Sequence, residues 1–122
     1  MKKVYVLVNR GKDPDFAVTK PLINFLKSMN CCIALDEGCN DYPDLRGVGA
    51  EISSISAVDQ SVSLIISIGG DGSLIKAASA ASAYDIPIVG INLGRVGYLS
   101  EIGPTEICVL QKFGVAVTAC YR

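Results

Sequence analysis

The chain has 122 residues, half of them apolar and 19% charged, which suits one small domain with a single core. A net charge of −1 supplies no basic field for nucleic acid or an anionic membrane, and no apolar stretch approaches the roughly 20 residues of a spanning helix. Histidine is absent, which removes serine–histidine and cysteine–histidine catalysis and leaves carboxylates, lysines, tyrosines or a metal as candidate catalysts.

The first predicted element is a strand over residues 4–8, VYVLV, a run of β-formers suited to burial on both faces. It is too short for the apolar region of a signal peptide. Residues 9–15 are polar and broken by Gly11 and Pro14, hence a loop. Over 16–29, Val18, Leu22, Phe25, Leu26 and Met29 recur at three- and four-residue steps, the spacing of one helix face. Pro21 fits only in a first turn, so this helix starts near Thr19. A second short strand is predicted over 31–35, a loop over 36–50, and a short helix over 52–58. A strand follows over 64–68, an alanine-rich helix over 73–83, and a strand over 86–91. This alternation predicts an α/β fold, a parallel sheet with helices on both faces.

Cys31, Cys32, Cys39, Cys108 and Cys120 are odd in number and two are adjacent, which argues against a disulfide framework. Without Cys-x-x-Cys pairs or histidine there is no zinc pattern, so reduced thiols in the cytoplasm are expected.

The stretch most charged with chemistry is IISIGGDGSLIK, residues 65–76. A buried strand ends in Gly69, Gly70, Asp71, Gly72 and Ser73 and passes into a helix. Glycines let the backbone turn sharply and approach a ligand, and the helix start offers unpaired N–H groups to a phosphate. Asp71 would repel a phosphate, unless it faces a hydroxyl that attacks the phosphate or a magnesium ion that bridges the two. Taken alone, GGDG also reads as an ordinary turn in which Asp71 or Ser73 caps the helix. A second turn of the same kind, in PIVGINLGRVGYLSEI at 87–102, lies one helix and one strand further on. A right-handed crossover puts both turns on one edge of the sheet.

GGDGSLIKAA and GINLGRVGYLSEI, in this order and spacing, resemble the NAD kinases, and VYVLVNRGKDPD is similar to their first strand and loop. Phosphofructokinases and diacylglycerol-type lipid kinases share the first motif, but not the second. The resemblance implies phosphoryl transfer from ATP or polyphosphate to the 2′-hydroxyl of NAD, with magnesium or another divalent cation on the donor. It implies that Asp71 is the proton acceptor, and that Gly69, Gly70, Asp71, Gly72, Ser73, Ile75, Lys76 and Tyr98 bind nucleotide. Ser73 stands where the family has threonine and keeps the hydroxyl. The domain expected from the resemblance spans 1–102, and 103–122 is a tail that does not match. The β-rich second domain of the family has no counterpart in these residues. The expectation is therefore a truncated NAD kinase, associating with itself or a partner through the face that domain would cover. The alternative is an inactive nucleotide-binding or assembly module that keeps the first domain.

Overall fold

The computed structural model describes residues 2–92 and 117–121. Strand β1, Lys3–Val8, is buried over five of its six residues because both of its faces are covered. Helix α1, Thr19–Ser28, begins where Pro21 requires, with that proline inside the first turn. Strand β2, Cys32–Leu35, then runs parallel to β1. Helix α2, Leu45–Val48, and strand β3, Ala50–Ile52, come next, followed by a 3-10 turn at Ile55–Ala57. Strand β4, Leu64–Gly69, leads into helix α3, Asp71–Ala81, and then strand β5, Ile88–Asn92. Strand β6, Val117–Tyr121, closes the sheet.

The strand order is β3-β2-β1-β4-β5-β6. The first five strands are parallel and β6 is antiparallel to β5, with Gly90 opposite Ala119. Alternation along each strand divides the core into two layers. Val4, Val6, Ile33, Leu35, Ile66 and Ile68 face α1, which contributes Leu22, Ile23 and Leu26. Tyr5, Leu7, Ala34, Ile65 and Ile88 face α3, which contributes Leu74, Ala77 and Ala81. Burying one such leucine or isoleucine contributes roughly 1.5–3 kcal/mol, so each helix is held mainly by this face.

Three expectations need correction. Residues 52–58 form no helix: Ile52 ends β3, and only Ile55–Ala57 coil into a 3-10 turn. Residues 36–50 hold a 3-10 turn at Glu37–Cys39 and helix α2. Asp36 and Asp44 cap these, accepting from the N–H groups of Gly38 and Gly47. The tail over 103–122 includes strand β6, because the outer edge of β5 has open hydrogen-bonding groups for it to pair with.

Candidate active site

In this sheet β1 stands in the middle. The chain leaves it on one side toward β2 and β3, and returns on the other side as β4 and β5. Loops leaving the carboxyl ends of β1 and β4 therefore diverge, which opens a crevice at the point where the strand order reverses. The loop after β1 forms one lip of that crevice and Gly69–Ser73 the other. The register pairs Gly69 with Asn92, so the second glycine-rich segment begins on the same edge.

The lips touch. Asn9 donates its N–H to the Ile68 carbonyl at 2.8 Å, which anchors the first loop to the end of β4. A Cβ at position 69 would lie 2.8 Å from the Asn9 Cβ and 2.7 Å from the Ser73 Oγ, and φ there is +156°. Only glycine fits. At Gly70 a Cβ would meet Lys12, whose Cε would be 3.5 Å and Nζ 3.9 Å away. At Gly72 a Cβ would meet nothing within 4 Å.

Helix α3 starts at Asp71, two residues before the predicted position, with Gly70 as its N-cap and no side-chain cap. Its first bond runs from Leu74 N–H to the Gly70 carbonyl at 3.2 Å. The N–H groups of the preceding turn are thus not used by the α-helical ladder, as at any uncapped helix start. Ser73 is half-buried and packs on Gly69. Ile75 lies one turn above Asp71 on the same stripe and is 58% exposed. Lys76 is exposed and borders a groove of about 300 Å³ with Ile55, Ser56, Val58, Ser79 and Tyr84. It lies about 7.5 Å along the helix axis from Asp71 and about 140° around it, so the two do not share a stripe. Tyr98, with Gly94 and Gly97, lies outside the described residues.

Sequence reasoning missed how the first loop is held. Asp13 is buried and accepts from Val18 N–H at 3.2 Å, Thr19 N–H at 3.0 Å and Thr19 Oγ1 at 2.6 Å, which caps α1 from five residues away. Arg10 donates to both carboxylate oxygens of Asp41, at 2.5 and 3.1 Å, and to the carbonyls of Gly38 and Pro14. The Arg10 guanidinium also stacks 4.0 Å over Phe16, whose φ of +58° is unusual for a bulky residue. Phe16 in turn meets Tyr42 edge-on at 4.9 Å. The hydrogen bond from Arg10 holds the Asp41 carboxyl below its ordinary value, and Asp41 in turn raises Arg10. The signal for this latch was only an arginine in a polar loop, since its partners are 28 and 31 residues away.

Among the described residues, no group of three or more carboxylates or thiols converges in a way that could hold a metal ion.

The family model for the ATP-NAD kinase N-terminal domain matches residues 6–113, which include both glycine-rich segments. The chain belongs to that family. Curated NAD kinases agree with this membership. The enzyme of Alcanivorax borkumensis is 36% identical over 88 residues, covering 72% of this chain and 29% of its own. That of Lachnospira eligens is 35% identical over 108 residues, covering 83% and 33%. That of Azotobacter vinelandii is 36% identical over 106 residues, covering 87% and 35%. The chain thus spans about a third of the length of the curated relatives it matches.

Proposed function

We propose that the chain is the nucleotide-binding part of an NAD kinase, moving a phosphoryl group from ATP or polyphosphate to the 2′-hydroxyl of NAD. The observation that carries this reading is Gly72. It is helical, and among the described residues nothing lies within 4 Å of its Cβ position and no contact there requires glycine. A glycine kept where alanine would favour the helix leaves room for a ligand on the backbone. The exposed Ile75 one turn above gives an apolar shelf for an adenine ring.

In the proposed reaction the ribose oxygen attacks the terminal phosphorus, the bond to ADP breaks, and the proton passes to Asp71. Phosphoryl transfer has a loose transition state, so positioning and charge neutralisation matter more than the strength of the base. Gly69, Gly70, Gly72 and Ser73 line the phosphate path and Ile75 and Tyr98 wall the adenosine, while Lys76, on another stripe of α3, borders the neighbouring groove. A divalent cation, magnesium or another, would accompany the phosphates of ATP and neutralise their charge. A cytoplasmic setting and association with a second copy or a partner complete the reading.

The test is a coupled assay for NADP, with the chain alone and with the β-rich domain of a relative added. Asp71→Asn keeps the shape and removes the charge. It should cut turnover by about 100-fold or more while NAD binding and thermal stability persist. Retained turnover would show that the Asp71 carboxylate takes no part in the chemistry. Lack of turnover in both arms, with nucleotide still bound, would favour an inactive binding module.

A further inference from the structure

We propose that Lys12 holds the polyphosphate of the donor nucleotide over the glycine-rich turn, an inference that rests on the kinase reading above. The backbone of Lys12 is not free to wander. Asn9 Oδ1 accepts from Gly11 N–H at 2.9 Å, and the Asn9 carbonyl accepts from the N–H groups of Lys12 and Asp13, each at 3.0 Å. Asn9 is itself bonded to the end of β4. This winding delivers the Lys12 side chain across the crevice to Gly70, the N-cap of α3.

The other two charges of the loop are consumed by the fold. Arg10 is tied to Asp41, Gly38, Pro14 and Phe16, and Asp13 is buried under α1. Lys12 is exposed and makes no ion pair or hydrogen bond through its side chain among the described residues. Its ammonium approaches the N-terminal end of α3 at Gly70, where backbone N–H groups outside the helical ladder also lie. A polyanion between the two gains charge-assisted hydrogen bonds from both. A hydroxyl or a neutral ring would not. The contact therefore calls for a phosphate chain, and the donor, whose triphosphate carries more charge than the diphosphate of NAD, is the ligand we assign to it.

The test measures binding of magnesium ATP, inorganic tripolyphosphate and NAD to the whole chain and to its Lys12→Met and Lys12→Arg variants. Thermal unfolding is followed on the same samples. Lys12→Met should weaken ATP and tripolyphosphate by about tenfold or more, as expected for one charge-assisted phosphate contact, with NAD binding and melting nearly unchanged. Lys12→Arg should restore most of the loss. Equal ATP affinity in wild type and Lys12→Met would overturn the role of Lys12 and leave the kinase reading standing. Parallel loss of ATP, NAD and thermal stability would also overturn it, as a structural effect. A wild-type chain that binds neither ATP nor tripolyphosphate would overturn both.

Discussion

At position 69 an alanine Cβ would press on the Asn9 Cβ at 2.8 Å, a backbone-rooted atom that cannot swing away. Gly69→Ala should therefore destabilise the protein by about 1–3 kcal/mol, read as a lower urea midpoint. An unchanged midpoint would mean that the two lips are not in contact. Position 72 makes the opposite case, because the same substitution there meets open space. Gly72→Ala should hold or raise stability, by up to about 1 kcal/mol from helix propensity, while weakening nucleotide binding. If Gly72→Ala binds nucleotide as tightly as wild type, the open space beside α3 is not a ligand site. The pair separates a glycine needed for folding from one needed for function, a distinction that the string GGDG alone does not make.

Helix α1 depends on a carboxylate that is remote from it in sequence. Asp13 serves the Thr19 hydroxyl and two N–H groups in a buried setting. Asp13→Ala should cost about 1–3 kcal/mol, because the buried Thr19 N–H and hydroxyl lose the carboxylate that accepts from them. A loss under about 0.5 kcal/mol, typical of a surface change, would mean that water replaces it. This capping could not be read from the chain, since no spacing rule links Asp13 to Thr19. What could be read were the elements with strong local signals. β1, α1, β2, β4 and β5 stand within a few residues of expectation because continuous apolar runs and a helical stripe report burial directly. β3 was hidden because three residues are too few to show a period, and β6 because its reason to exist is pairing with β5. The early start of α3 has a local cause that was passed over: an aspartate in the first helical turn is favoured by the dipole, so Asp71 belongs to the helix as well as to the turn. The glycine-rich turn was legible because its residues are contiguous. Lys12 was not, because it reaches that turn only through the β1–β4 pairing.

At the scale of the whole molecule, the Arg10–Asp41 latch should contribute to acid sensitivity. Asp41 is held below its ordinary carboxylate value, chiefly by the hydrogen bond from Arg10. A group depressed on folding stabilises above its unfolded pKa, near 4, and that contribution fades as pH falls through the folded value. Asp41→Asn lacks this one contribution at every pH, so its stability curve should lie closer to wild type at pH 2–3 than at pH 7. Parallel curves would show that the latch does not couple to folding.

The crevice lips belong to strands that pair Val4 with Leu64, about sixty residues apart along the chain. On the proposed reading, a nucleotide seated between them is also a reversible cross-link across that span. By mass action it adds to the stability of the β1–β4 joint, about 2.7 kcal/mol when its concentration is 100 times its Kd. Substrate supply would then govern how long this small sheet stays closed, as well as what it turns over.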